Sequence, residues 1–145
     1  METNSKLTYK KPTHLRRRLI KRLSELRPLY KAAVMTDGAD ISEWLRDNYY
    51  LLEREGRSAI RSLKFSQAMP HGDKRTPEIF DICKKAISDD IEGSLRREIE
   101  AAKRPITTQE LQSLPFMLKA ALVDTACICA KNREEYSAQM MGLAI

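Results

Sequence analysis

One long segment near the C-terminus constrains the fold more than any other part of this sequence. Thr107 and Glu110 have the spacing of a capping box, which predicts a helix over residues 108–131. After Leu114 this helix is apolar on most sides, so other parts of the chain must cover it. The sequence therefore predicts a helical bundle with a buried central helix near residues 107–131.

A second helical pattern begins at Thr13. Five leucines recur there at spacings of three and four and so share one face: Leu15, Leu19, Leu23, Leu26 and Leu29. Pro28 is expected to kink this helix, or to split it near Arg27, because proline lacks a backbone donor. The helix that forms is amphipathic, with leucines on one side and basic residues over much of the rest.

Three more helices are expected between these two. The first follows a turn at residues 36–39 and runs from an Asp40 cap, with Glu43 as its capping-box partner, to about Leu63. Gly56 is an unfavourable residue within it.

A loop is expected over residues 66–76, and Thr76-Pro77-Glu78 then starts the next helix, with proline at the first helical position. The last of the three follows residues 89–90 and ends before Pro105. No segment alternates like a strand. The chain is thus predicted to be all-α: a flexible basic tail over residues 1–12 and a single bundle of five or six helices over residues 13–145.

The positive charge of the chain is concentrated at its beginning. Residues 1–31 hold ten Lys or Arg and two Glu, a net charge of +8, whereas the whole chain carries +6. The remaining residues are therefore slightly acidic, and the basicity belongs to one N-terminal arm.

The arm predicts a possible interaction surface made of five residues: Arg16, Arg17, Arg18, Lys21 and Arg22. Three interpretations stay open. The leucine face docks on the bundle while the cations remain solvated or meet acids of a partner domain. Alternatively, the helix lies on an anionic membrane surface, or it follows a nucleic acid backbone. Nucleic acid is the least favoured, because no aromatic residues are interleaved with the cations.

The sequence contains none of the common catalytic or cofactor motifs, such as GxGxxG, a P-loop, HExxH or GxSxG. His14 and His71 are far apart, and neither has a Cys or His at ligand spacing, so no metal and no cofactor is expected. Cys83, Cys127 and Cys129 lie at apolar positions and are expected to be reduced core residues. No catalytic residue can be named.

Trp44 is the single tryptophan of the chain, and it lies on the apolar face of the second helix. We expect it to be a core anchor, with sugar stacking as the less favoured role. Asn48 falls on the same side and is expected to be partly buried and hydrogen-bonded.

Two stretches combine helix-start signals with unusual residues. The first reads Ser42-Glu43-Trp44-Leu45-Arg46-Asp47-Asn48-Tyr49-Tyr50-Leu51-Leu52-Glu53. The second reads Ile106-Thr107-Thr108-Gln109-Glu110-Leu111-Gln112-Ser113-Leu114-Pro115-Phe116-Met117-Leu118-Lys119-Ala120-Ala121-Leu122. Together they resemble the opening region of cyclic β-1,2-glucan synthases, which are large membrane-associated bacterial glycosyltransferases. The family shows Glu-Trp-Leu before Asp-Asn-Tyr, and Leu-Thr-x-x-Glu-Leu before Leu-Pro-x-Met-Leu. Gln112 departs from the family, where tryptophan is expected.

This resemblance implies a parent enzyme that builds glucan from UDP-glucose, and it places this chain ahead of the transferase and phosphorylase-like domains. No catalytic residue of the family maps onto the chain. The implied function is a non-catalytic accessory domain that scaffolds or packs on the catalytic domains of a glucan synthase, in cis or in trans. The alternative is a stand-alone basic helical module that binds nucleic acid or an anionic membrane surface.

A cytoplasmic location, or one at the inner face of the membrane, is expected. The N-terminus has no apolar stretch like that of a signal peptide. The longest apolar region, residues 114–130, is interrupted by Lys119 and Asp124 and is short for a membrane span.

Overall fold

The computed structural model describes residues 7–35 and 41–132 of the chain. Within these ranges there are five helices: α1 (Thr13–Val34), α2 (Ile41–Lys64), α3 (Glu78–Ala86), α4 (Ile91–Ala101) and α5 (Thr108–Asn132). A two-stranded antiparallel sheet joins β1 (Thr8–Lys10) to β2 (Met69–His71). The prediction of an all-α helical bundle is confirmed.

Helix α5 forms the centre of the bundle, as the sequence predicts. It packs against α1, α2 and α3, while α4 packs against α3. The capping box at its start forms as expected, since the Thr107 amide donates to Glu110 Oε1 at 2.9 Å and the Glu110 amide donates to Thr107 Oγ1 at 3.1 Å. Local hydrogen bonds therefore set the start of the most buried helix.

Arg104 links the starts of α3 and α5. Its guanidinium donates to Glu78 Oε1 at 2.9 Å and to Glu110 Oε2 at 2.7 Å, and the Glu110 side chain is fully buried. Burial alone would raise the pKa of Glu110. The hydrogen bonds from Arg104 and Thr107 outweigh that effect and hold the pKa below its usual value. The Glu110 carboxylate is thus charged inside the protein, and Arg104 is its counter-ion.

The apolar core consists of two clusters that follow each other along α5. One cluster lies beside the first half of α5, where Leu15, Leu19 and Phe80 pack with Met117. The other lies beside its second half, and its members include Leu26, Ala33, Trp44, Tyr49, Leu52, Val123 and Cys127. The leucine face of α1 thus docks on the bundle.

Helix α1 continues through Pro28 without a break, so the predicted split near Arg27 is wrong. Proline leaves the carbonyl of Ser24 without its helical donor. Both Ser24 and Pro28 are exposed, so water can satisfy that carbonyl and the helix does not need to end.

Gly56 lies where α1 and α2 approach each other closely. A Cβ atom at this position would stand 2.9 Å from Cδ1 of Leu23. The glycine that is unfavourable for α2 alone therefore makes room for a leucine of α1, which offsets its conformational cost.

The N-terminal tail is partly ordered, contrary to the expectation of a frayed segment up to residue 12. Thr8 pairs with His71 and Lys10 with Met69, and the β2 residues are buried. The sequence conceals this pairing, because each strand has only three residues and β2 contains Pro70, which has no amide to donate.

One predicted helix start is displaced by one residue, and the predicted cap of another lies outside the described residues. Helix α3 begins at Glu78, one residue later than expected, and the Thr76 hydroxyl donates to Asp81 Oδ1 at 2.8 Å instead of capping the backbone. The predicted turn at residues 36–39 and the Asp40 cap lie outside the described residues, although α2 does run from Ile41 to Lys64.

Trp44 is a core residue, as expected, with 7% of its surface exposed. Asn48 is half-buried on the same face and donates to the Trp44 carbonyl at 2.9 Å. Replacing Trp44 by alanine leaves a large cavity between α2 and α5. We expect Trp44→Ala to lower the free energy of unfolding by about 3–5 kcal/mol, measured by urea denaturation.

Phe65 provides the matched control, because it is an aromatic residue with 75% of its surface exposed. Phe65→Ala should change the free energy of unfolding by less than about 0.5 kcal/mol. Equal effects of the two substitutions would contradict the assignment of Trp44 to the core.

Candidate functional site

The structure divides the five predicted surface cations among three places. Arg18 and Arg22 reach into the bundle and bind Asp124 of α5. Arg16 lines a groove between α1 and α2. The remaining two, Arg17 and Lys21, are exposed. The arm is therefore not one uniform basic face.

Asp124 is fully buried and is surrounded by three cations. Its Oδ2 accepts from Arg18 Nη2 and from Lys84 Nζ, each at 2.7 Å. Its Oδ1 accepts from Arg22 Nε at 2.8 Å and from Arg18 Nε at 3.1 Å. These contacts tie α1, α3 and α5 together at one carboxylate.

The electrostatics keep Asp124 ionised. Burial acts to raise its pKa, but the hydrogen bonds from Arg18, Lys84 and Arg22 act more strongly and lower the pKa to about 2. One carboxylate cannot neutralise three cations, so this part of the bundle retains positive charge. Because Arg18 and Arg22 are committed to Asp124, their first role is structural.

The groove between α1 and α2, called here the outer groove, has a volume of about 710 Å³. Its lining residues are Arg16, Ile20, Leu23, Ser24 and Arg27 of α1, Glu53, Arg57, Ile60, Arg61 and Lys64 of α2, and Phe65 just beyond α2. On α1 these positions differ from Leu15, Leu19 and Leu26, which face the core. The outer groove therefore borders the side of α1 that the core occupies, and Leu23 contributes to both.

The outer groove combines an apolar floor with cationic walls. Ile20 is 43% exposed even though it is apolar. Five cations and a single carboxylate line the groove. That carboxylate, Glu53, already accepts from the Tyr49 hydroxyl at 2.9 Å and lies 3.6 Å from Arg57 Nη2. The groove thus has several positive charges that its one acid does not neutralise.

In the described part of the chain, Arg16 is the clearest example of a groove cation that lacks an acceptor. Its Nε is buried and has no hydrogen-bond partner within residues 7–35 and 41–132. A buried donor without a partner is unfavourable, so an acceptor brought by a ligand would remove that cost.

Of the residues that line the outer groove, the predicted interaction surface contained only Arg16. The α2 half was detectable, because Arg57, Ile60, Arg61 and Lys64 recur at spacings of three and four and so share one face of α2. Asp124 was detectable too, as the one acid in the apolar part of α5 that follows Leu114. What the sequence could not provide was which cations would reach it.

Two of the three cysteines are buried, and Cys129 is half-buried. Burial raises the pKa of the thiols of Cys83 and Cys127 to about 12, so both are protonated at neutral pH. The three cysteines form no disulfide. His71 is buried in β2, and its Nδ1 lies 2.9 Å from the Met69 carbonyl. In the part of the chain that the structure describes, no three His, Cys, Asp or Glu side chains form a group suited to a metal ion.

Helix α5 is long and apolar enough, by length and composition, to cross a membrane. From the sequence, residues 114–130 are instead expected to be too short and too polar for a membrane span. Half of its apolar window is buried against the other helices. The central helix of a bundle passes the same test, so this property does not indicate a span.

No protein-family model, curated protein or solved structure matches this chain. The resemblance to cyclic β-1,2-glucan synthases therefore stays a prediction based on the two sequence stretches.

The Asp124 cluster predicts a specific dependence on charge and pH. Replacing Asp124 by asparagine removes the carboxylate that pairs with three partly buried cations and leaves Arg22, among the described residues, only its longer contact to Glu25 at 4.0 Å. We expect Asp124→Asn to lower the free energy of unfolding by about 3–5 kcal/mol at neutral pH, measured by urea denaturation.

The effect of Asp124→Asn on the free energy of unfolding should become smaller at acidic pH. Because the folded-state pKa lies below the ordinary value of 3.8, the stabilisation is complete above that value and is lost as the pH falls toward 2. The stability difference between wild type and Asp124→Asn should narrow by roughly 2 kcal/mol over that interval. Asp89→Asn, at an exposed acid, is the control and should show little difference at any pH. A difference for Asp124→Asn that does not change with pH would contradict the account.

Proposed function

We propose that this chain is a non-catalytic helical binding module whose outer groove receives an acidic amphipathic helix of a partner protein. The observation that carries the proposal is the composition of the groove, which pairs an open apolar floor with five cations and one acid. Helices that bind in grooves use an apolar face for affinity, and complementary charges set their orientation.

The dimensions of the outer groove suit such a ligand. The lining residues of α1 extend from Arg16 to Arg27, which corresponds to about 17 Å, or about three helical turns, at a rise of 1.5 Å per residue. A helix of that length places one or two apolar side chains on each turn of the floor. Acidic residues on its flanks then meet the arginines on both walls.

The apolar floor, the concave shape and the cations of the outer groove together favour a protein helix over other occupants. Ile20, Leu23 and Ile60 offer apolar surface along the length of the groove, which a nucleic acid backbone would not use. The walls converge on a concave floor, whereas a membrane is broad and favours a convex or flat cationic face. Acidic side chains also supply the acceptor that Arg16 Nε lacks.

The finer proposal concerns the partner. The resemblance of residues 42–53 and 106–122 to cyclic β-1,2-glucan synthases supports a module that packs on the catalytic domains of such a glycosyltransferase, in cis or in trans. Its setting would be cytoplasmic, at the inner face of the membrane. The resembling stretches supply core residues such as Trp44 and Met117 and the capping box at Thr107. The likeness therefore bears mainly on how the bundle folds, and Glu53 is the residue of these stretches that also lines the outer groove.

The test uses a synthetic acidic amphipathic peptide with a fluorescent label, and its binding to the full chain is followed by anisotropy. The control peptide has the same composition, but its apolar residues are dispersed around the helix. We expect saturable binding of the first peptide only. Arg61→Glu should weaken binding at least about tenfold, because it replaces an attraction in the wall by a repulsion.

Lys21→Glu is the matched control variant, since it makes the same change of charge on the exposed side of α1, outside the groove. It should leave the affinity within about twofold of wild type. Ile20→Ser tests the floor without any change of charge and should also weaken binding. If Lys21→Glu and Arg61→Glu weaken binding equally, the groove is not the site and the chain responds only to net charge.

The alternative function, binding of an anionic membrane or nucleic acid through the basic arm, is separated by salt. Contacts with phosphates weaken steeply as salt rises, whereas binding through an apolar floor persists. Binding of duplex DNA or anionic vesicles that disappears in moderate salt and depends on Arg17 and Lys21 would favour the alternative. The finer proposal fails if the purified catalytic portion of a cyclic β-1,2-glucan synthase shows no affinity for the chain.

A further inference from the structure

A second concave site lies on the other side of α1, away from the outer groove. Three parts of the chain bring cations to it: Arg18 from α1, Lys74 and Arg75 from the loop after β2, and Lys84 and Lys85 from α3. The imidazole of His14 in α1 also lines the site. The depression between them has a volume of about 480 Å³. We call it the cationic pocket, and we infer that it binds the phosphate groups of a small ligand or of a lipid headgroup.

Acids within residues 7–35 and 41–132 do not balance the charges in the cationic pocket. Asp124 lies beneath it and binds Arg18 and Lys84, but it shares its single charge with Arg22 as well. Among the described residues, Asp81 is the only acid that lines the pocket. Its Oδ1 accepts from the Thr76 hydroxyl. One carboxylate does not balance the lysines and arginines around it.

His14 reports the resulting positive potential. Burial and the charges of Arg75, Arg18, Arg17 and Lys10 all lower its pKa. The part of this shift that comes from the neighbouring cations reflects a positive potential, which attracts an anion, and the concave shape concentrates the field at the centre of the depression.

The loop that carries Lys74 and Arg75 is closed at its base. A β-bridge joins His71 to Pro77, so the residues between them form a short, anchored loop. The adjoining β1–β2 pairing fixes the same region to the start of the chain. These constraints hold the two loop cations near α3 before any ligand arrives, which lowers the entropy cost of binding.

Phosphate is the anion that this arrangement suits best. Arginine presents parallel N–H donors that match phosphate oxygens, and lysine adds point charges. Thr76 also lines the depression. Arg18 stacks over the Phe80 ring, with its Cζ 5.6 Å from the ring centroid, and this contact holds the guanidinium at one edge of the pocket. A volume near 480 Å³ lies within the range of sites that hold small molecules.

The experiment titrates the full chain with inorganic pyrophosphate at low salt and follows the imidazole protons of His14 by NMR. We expect saturable binding and an upward shift of the His14 pKa, because the bound anion offsets the surrounding cations. Combined Lys74→Ala and Arg75→Ala substitutions should weaken binding at least about tenfold. Both positions are exposed, so the bundle should still fold.

A second arm measures sedimentation with phosphatidylcholine vesicles that contain or lack phosphatidic acid. Binding to pyrophosphate but not to the acidic vesicles assigns the site to a free phosphate ligand. Vesicle binding that pyrophosphate competes away, and that the loop substitutions abolish, assigns it to a lipid headgroup.

Arg61→Ala is the control for both arms, because it removes a cation from the outer groove and leaves the cationic pocket unchanged. It should not alter either affinity. The inference is overturned if neither probe binds, or if the loop variant binds as tightly as wild type. Either result leaves the outer groove proposal unaffected, since that site shares no residue with the cationic pocket.

Discussion

The buried carboxylate of Asp124 is the interaction on which the arrangement of this protein depends. It lies in the second half of an apolar central helix and draws Arg18, Arg22 and Lys84 toward it. A charge in that position would be very unfavourable alone, so the three cations and the carboxylate stabilise each other only when α1, α3 and α5 are packed together. The cluster therefore specifies which side of the basic helix faces the bundle.

That orientation determines where the other charges of α1 lie. With Arg18 and Arg22 turned inward, Arg16 falls on the side of α2 and His14 on the side of α3. Each side becomes a concave surface with more cations than acids. The outer groove adds an apolar floor and suits an amphipathic helix. The lining residues of the cationic pocket are mostly charged, and this composition suits a compact anion. One basic arm thus contributes to two surfaces of different chemistry.

Much of the fold could be predicted from sequence because its signals are local. The capping box of Thr107 and Glu110 and the leucine face of α1 form as the residue spacing predicts, and α4 follows residues 89–90 as expected. The features that sequence reasoning missed depend on distant partners. The strand at residues 8–10 exists only because residues 69–71 lie beside it. The continuity of α1 through Pro28 depends on exposure that sequence does not report.

The candidate sites were only partly predictable for the same reason. Periodicity places Arg16 on α1 but does not say that Arg61 and Lys64 of α2 stand opposite it. Likewise, the sequence contains Arg18, Arg22 and Lys84 among many other cations, and it does not show that these three converge on Asp124. Tertiary packing, and not local pattern, decides which members of a basic arm are structural and which are available to a ligand.

The central claim is that the outer groove is a docking site for an acidic amphipathic helix, and backbone hydrogen exchange tests it most directly. Exchange would be compared for the full chain alone and in the presence of the acidic amphipathic peptide. The account predicts slower exchange along residues 16–27 and 53–65, which border the groove, with little change in α4. Protection that appears mainly around residues 74–85, or no protection at a saturating peptide concentration, would contradict it.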